Sequence, residues 1–125
     1  MDPFQVPIRL LLVDDETEFR DSTARALRRR DFEVTTAQDG ETALAVLSAE
    51  GFDVVVLDVK MPGLDGLEVI GQLKNDRAEI QVILLTGHGS SEDAARGIEA
   101  GAFDYLIKPV DIDELIDIIH KAAGR

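Results

Sequence analysis

Five side chains, far apart in this 125-residue chain, have types that suit one reaction together: the carboxylates of Asp14, Asp15 and Asp58, the hydroxyl of Thr86 and the ammonium of Lys108. Asp14, Asp58, Thr86 and Lys108 each follow directly on a short apolar run, and Asp15 comes one place later. Three carboxylates brought together repel and raise one another's pKa, so such a site calls for a counter-cation. An all-oxygen set without Cys or His selects a hard ion, and Mg²⁺ typically takes one or two carboxylates plus waters. Mg²⁺ and an ammonium over carboxylates would receive a phosphoryl group while an aspartate attacks it, giving an aspartyl-phosphate. Asp58 is the best nucleophile because it ends the central run, and Thr86 can offer its hydroxyl to a phosphoryl oxygen. Taken singly the residues are ordinary: Asp14-Asp15 reads as a strand stop or helix cap, Thr86 as a strand residue, Lys108 as a solvated lysine. Their convergence carries the chemistry.

Convergence depends on the elements. Apolar runs of strand length recur at Ile8 to Val13, Phe32 to Thr36, Val54 to Leu57, Val82 to Leu85 and Tyr105 to Ile107. A stretch with helical spacing follows each run. The first, third and fourth runs are apolar without alternation, as strands covered on both faces of a parallel sheet are. The second alternates and the fifth is broken by Lys108-Pro109, so both read as edges. Right-handed crossovers then favour an α/β, doubly wound, flavodoxin-like sheet of five parallel strands in the order 2-1-3-4-5, with five helices. Every strand of such a sheet delivers its C-terminal residue to one rim, where binding sites form.

The helical stretches have readable faces and caps. Residues 16–29 put Phe19, Thr23, Ala26 and Leu27 on one stripe, and 41–49 do the same with Ala43, Val46 and Leu47 after a turn at Asp39-Gly40. Asp65 with Glu68 forms a capping-box pattern for the third helix. Ser90 with Asp93 marks the start of the fourth, which ends near Gly101 and whose inward side is Ala95, Ile98 and Ala102. So thin a face predicts a loosely held helix. The fifth opens at Asp111, with Glu114 at the capping position, and its stripe is Ile112, Leu115, Ile116 and Ile119; Ile118 falls off that stripe and is expected to be exposed. Residues 1–7, with two prolines, read as a flexible leader, and 8–123 as one domain.

Composition narrows the function. Apolar residues make up 45% and charged residues 30% of the chain, as in ordinary folded domains. Without cysteine there is no disulfide scaffold or thiolate metal site. The net charge of −12 repels nucleic acid and anionic lipid and suits a divalent cation. No apolar run approaches a membrane span and the N-terminus lacks the pattern of a signal peptide, so a cytoplasmic location is expected. Neither a G-x-x-x-x-G-K-[ST] loop nor a G-x-G-x-x-G after the first strand is present, which argues against nucleotide binding. His88, in Gly87-His88-Gly89, reads as a loop residue near the site, since it lacks partner ligands.

Four segments together resemble the response-regulator receiver family of two-component signalling: Leu-Leu-Val-Asp14-Asp15-Glu, Val-Val-Leu-Asp58-Val-Lys-Met-Pro-Gly-Leu-Asp65-Gly66, Leu-Leu-Thr86-Gly-His, and Gly-Ala-Phe-Asp-Tyr105-Leu-Ile-Lys108-Pro109. Each alone is weak; all four in order are highly specific. The resemblance implies that Asp58 accepts a phosphoryl group from a phosphohistidine on a sensor histidine kinase or phosphotransfer protein. It implies that Asp15, Asp58 and the Lys60 carbonyl hold Mg²⁺, with Asp14 acting through water, and that Thr86 and Lys108 bind the phosphoryl oxygens. Lys108-Pro109 would be a cis peptide. Thr86 and Tyr105 would act as switch residues that remodel the surface of the fourth helix, fifth strand and fifth helix. Such a protein is a signalling phosphoacceptor that promotes its own phosphotransfer and dephosphorylation, without being an enzyme in its own right. It would act on an output domain such as a transcriptional one, on a target protein, or through a phosphorylation-dependent homodimer. The Thr-Gly-His-Gly stretch is similar to receivers attached to sigma-54-dependent activators.

Three other readings fit less well. An aspartyl-nucleophile phosphatase usually carries a second acid two residues after the nucleophile, where this chain has Lys60, and it needs a substrate cap. A flavin carrier would need a phosphate-cradling loop after the first strand. A silent interaction module would have no reason to hold so many like charges together.

Overall fold

The computed structural model describes residues 6–87 and 91–125. Most of the expected leader, together with His88, Gly89 and the Ser90 start of the fourth helix, lies outside the described residues. Strands and helices alternate: β1 (Arg9–Val13), α1 (Thr17–Arg28), β2 (Glu33–Ala37), α2 (Gly40–Ala49), β3 (Val54–Asp58), α3 (Gly66–Asp76), β4 (Gln81–Thr86), α4 (Ser91–Ala100), β5 (Asp104–Ile107) and α5 (Ile112–Ala122). The strands form one parallel sheet in the order β2-β1-β3-β4-β5, the arrangement that the pattern of apolar runs predicts.

Strand alternation divides the core in two. Leu10, Leu12, Val54, Val56, Ile83, Leu85 and Leu106 pack under α1 and α5, against Ala24, Leu27, Leu115 and Ile119. Leu11, Val13, Val55, Leu57, Val82 and Leu84 pack on the other side, against Ala43 and Leu47 of α2 and Val69, Ile70 and Leu73 of α3. The three central strands are buried on both faces, which is why their sequences do not alternate.

Local signals set the helix starts. Asp39 caps α2 by accepting from the Thr42 N–H at 2.8 Å. Asp65 and Glu68 form the full capping box of α3, and Asp111 accepts from the amides of Asp113 and Glu114 at the start of α5.

Three helix faces differ from expectation. In α1 the fully buried small residue is Ala24, and Ala26 is only half-buried. In α4 the buried residues are Ala94 and Gly97, while Ala95 and Ile98 face solvent. The reason is close approach: Gly97 lies on Leu84 so tightly that a Cβ there would collide with the leucine's Cδ1. A spacing search weighted toward large apolar residues misses a helix that docks on its smallest ones. Ile118, expected to be exposed, is half-buried beside the α5 stripe and lines a groove of about 440 Å³ between β5 and α5.

Candidate functional site

β1 and β3 run side by side with Val13 opposite Leu57, so the residues that follow, Asp14 and Asp58, lie on neighbouring strands at the C-terminal rim. Alternation sends both toward the α1 and α5 side, in series with Leu12 and Val56. Both are buried: Asp14 is wholly inaccessible and Asp58 is 6% exposed. The fifth strand brings in the cation. The Lys108 backbone N–H donates to the Thr86 carbonyl at 2.8 Å, and the Lys108–Pro109 peptide is cis.

The Lys108 ammonium sits among acids. Its Nζ donates to Asp14 Oδ2 at 2.8 Å, Glu16 Oε1 at 3.2 Å and Asp58 Oδ2 at 3.4 Å. It also lies 4.6 Å from the centre of the Phe19 ring, within cation–π reach. The second oxygens are held by backbone: Glu16 N–H donates to Asp14 Oδ1 at 2.9 Å, and Lys60 N–H to Asp58 Oδ1 at 3.3 Å. Buried carboxylates thus meet a charge-assisted donor on one oxygen and a peptide donor on the other.

Burial and the neighbouring Asp14 charge push the Asp58 pKa up to about 6, against the opposing pull of Lys108. For Lys108, burial acts to lower the pKa, but the Asp14 hydrogen bond and the charges of Asp58 and Asp14 outweigh it, and its pKa lies above the ordinary lysine value.

The structure does not unite every candidate. Asp15 is exposed, and the carboxylates whose oxygens gather within 4.8 Å are those of Asp14, Glu16 and Asp58. Glu16 was missed because it falls after the double aspartate and looks like an ordinary first-turn acid; it precedes α1 without making a side-chain cap, which frees it to reach Lys108. Helical spacing marks Phe19 only as a core-facing residue, yet its ring lies on the ammonium. Thr86 is buried, but its Oγ1 donates to the Leu106 carbonyl at 3.5 Å; by alternation it belongs to the Val82 and Leu84 series, opposite Asp58. The Lys60 side chain points outward, 4.0 Å from Asp93 Oδ2. Tyr105 is 38% exposed on the edge strand, beside Ile107 at 52%.

A trio of carboxylates with no sulfur or imidazole donor is a hard-cation ligand set. The donors present therefore fit Mg²⁺.

Comparison with known proteins identifies the family. The model of the "Response regulator receiver domain" family matches residues 10–120. The response regulator MprA of Mycolicibacterium vanbaalenii is 42% identical over 111 residues, which are 89% of this chain and 48% of that protein. The transcriptional regulatory protein TcrA of Mycobacterium tuberculosis is 42% identical over 118 residues, 94% of this chain and 47% of that one. This chain thus spans about half the length of these curated relatives. Among solved structures, the receiver domain of NtrX from Brucella abortus superposes with a TM-score of 0.88 at 36% identity, covering 92% of this chain and 98% of that one. A CheY-like receiver domain protein from Methanospirillum hungatei gives 0.90 at 31% identity, covering 95% of each. The chain belongs to the response-regulator receiver domain family of two-component systems.

Proposed function

We propose that this domain is a phosphoacceptor: Asp58 takes a phosphoryl group from a phosphohistidine on a sensor histidine kinase or phosphotransfer protein, in a Mg²⁺-dependent reaction. The observation that carries this reading is the convergence of Lys108 on Asp14, Glu16 and Asp58 at one rim of the sheet. In the transfer an Asp58 carboxylate oxygen attacks phosphorus, the P–N bond to the imidazole breaks, and the imidazole leaves with the electron pair. Ionised Asp58 is the competent form, and its raised pKa still leaves it mostly ionised at neutral pH.

As the side chains stand, Asp14, Glu16 and Asp58 would hold the cation; Asp15 and the Lys60 carbonyl are the further ligands that the family likeness adds. A bound Mg²⁺ supplies positive charge against the phosphoryl oxygens. Lys108 stabilises the same oxygens from the other side, and the Thr86 hydroxyl exchanges the Leu106 carbonyl for a phosphoryl oxygen. That exchange and an inward turn of Tyr105 would remodel the α4–β5–α5 surface, where Ile98, Phe103, Tyr105 and Ile107 are exposed. Phosphorylation shifts an existing equilibrium by these extra contacts, altering the docking of an output domain or target protein, or of a second copy. Water attack on the acyl phosphate, within the same site, resets the domain.

Phos-tag electrophoresis after incubation with acetyl phosphate tests this. The wild type should give one retarded band that needs Mg²⁺ and disappears with EDTA or hydroxylamine. Asp58→Asn should give none; an equal band in that variant would refute the assignment.

A further inference from the structure

The phosphoacceptor loop, 59–65, runs from the end of β3 to the start of α3, and its two ends are held by different means. At the near end it is tied to the site itself, where Lys60 N–H donates to Asp58 Oδ1 at 3.3 Å, and the Gly66 N–H bond to the Val59 carbonyl at 2.9 Å closes one end on the other. At the far end it is held by α2, an element that gives nothing to the acidic cluster. Glu41, in the first turn of α2, accepts the Leu64 N–H on Oε1 at 3.2 Å. The same carboxylate covers Gly63, whose φ of +77° turns the chain: a Cβ there would stand 3.1 Å from Glu41 Oε1. Next to it, Gly40 rests on the loop backbone so closely that a Cβ would lie 2.5 Å from the Leu64 carbonyl oxygen. Asp39, which caps α2, keeps this turn in place through Thr42.

We propose that Glu41 is a positioning residue for the metal side of the site: by anchoring Leu64 and Gly63 it fixes the loop that sets Lys60 against Asp58. The inference rests on the phosphoacceptor reading and adds a residue from a helix that the reading does not use. Glu41 is exposed and belongs to no ion pair among the described residues, so its substitution should spare the fold. The hydrogen bond needs only an acceptor oxygen, which glutamine also has. Loss of charge alone would act on Glu41→Gln and Glu41→Ala equally, whereas loss of anchoring acts on alanine only.

Mg²⁺ binding by calorimetry on wild type, Glu41→Gln and Glu41→Ala, with amide exchange at Leu64, separates these. Anchoring predicts that Glu41→Ala raises the Mg²⁺ dissociation constant about three- to tenfold and speeds Leu64 exchange, with Glu41→Gln within about twofold of wild type. An unchanged constant in Glu41→Ala, or equal weakening in both variants, overturns the inference and leaves the phosphoacceptor reading standing. Absence of Mg²⁺ binding in the wild type instead removes the reading on which it rests.

Discussion

Asp58 stands where burial and Asp14 both oppose its ionisation, and its pKa of about 6 against an ordinary 3.8 converts to about 3 kcal/mol at most of native-state destabilisation at neutral pH. The sign follows from the direction. A raised folded-state pKa means the native state binds this proton more tightly than the unfolded chain, so the penalty is full above about pH 6 and gone below about pH 4. Asp58→Asn should therefore stabilise the domain by about 2 kcal/mol in urea unfolding at pH 7.5, and the gain should vanish at pH 4. Lys108→Ala should do the reverse. It leaves Asp14 and Asp58 facing each other unneutralised, so stability at pH 7.5 should fall by about 2 kcal/mol and recover on acidification. At this scale the sequence was most informative for residues that end strands, since strand order alone places Asp14, Asp58 and Lys108. It was least informative for Glu16 and Phe19, whose roles depend on where one ammonium comes to rest.

Elements hold the site through their ends more than through their faces. Gly66 begins α3 with no room for a side chain, because a Cβ would lie 2.6 Å from the Asp58 carbonyl oxygen and 2.8 Å from the Val59 Cα. Asp65, one residue earlier, caps the helix from Glu68 N–H at 3.0 Å. Asp65→Ala should lower stability by about 1 kcal/mol in chemical denaturation. α4 is the counter-example to reading faces from apolar spacing. It touches the sheet through Ala94 and Gly97 and turns Ile98 outward, 44% exposed. Ile98→Asp should accordingly change stability by less than about 0.5 kcal/mol, whereas an inward-facing isoleucine would have given a loss of several. Caps at Asp65 and Asp111 were legible because a capping side chain acts within three residues of itself, whereas Asp39 read only as part of a turn. The α4 face was not, because small residues dock by close backbone approach, which hydrophobic weight does not register.

For the whole molecule, a parallel sheet separates what is fixed from what can move. Asp14 and Asp58 stand on central strands buried on both faces, and Lys108 reaches the same rim from the edge strand β5. The α4–β5–α5 side is an edge with a short strand, a helix docked on two small residues and an open groove against Asp104, Ile107 and Glu114. Elements with little buried apolar contact open first, so the two halves should differ in amide exchange, with α4 and β5 exchanging ahead of β1 and β3. The strand order was legible from run lengths and from which runs alternate. The conformation at the α4–β5–α5 side was not, since whether Thr86 bonds to Leu106 or to something else is a choice among conformers of one sequence.

Whether Asp58 is the nucleophile is read most directly by borohydride trapping after acetyl phosphate treatment, followed by tandem mass spectrometry. Reduction of an aspartyl phosphate leaves homoserine at the modified position. Homoserine is expected at residue 58 and at no other aspartate, dependent on Mg²⁺. Homoserine at Asp14 or Asp15, or 5-hydroxynorvaline at Glu16, with residue 58 untouched would contradict it.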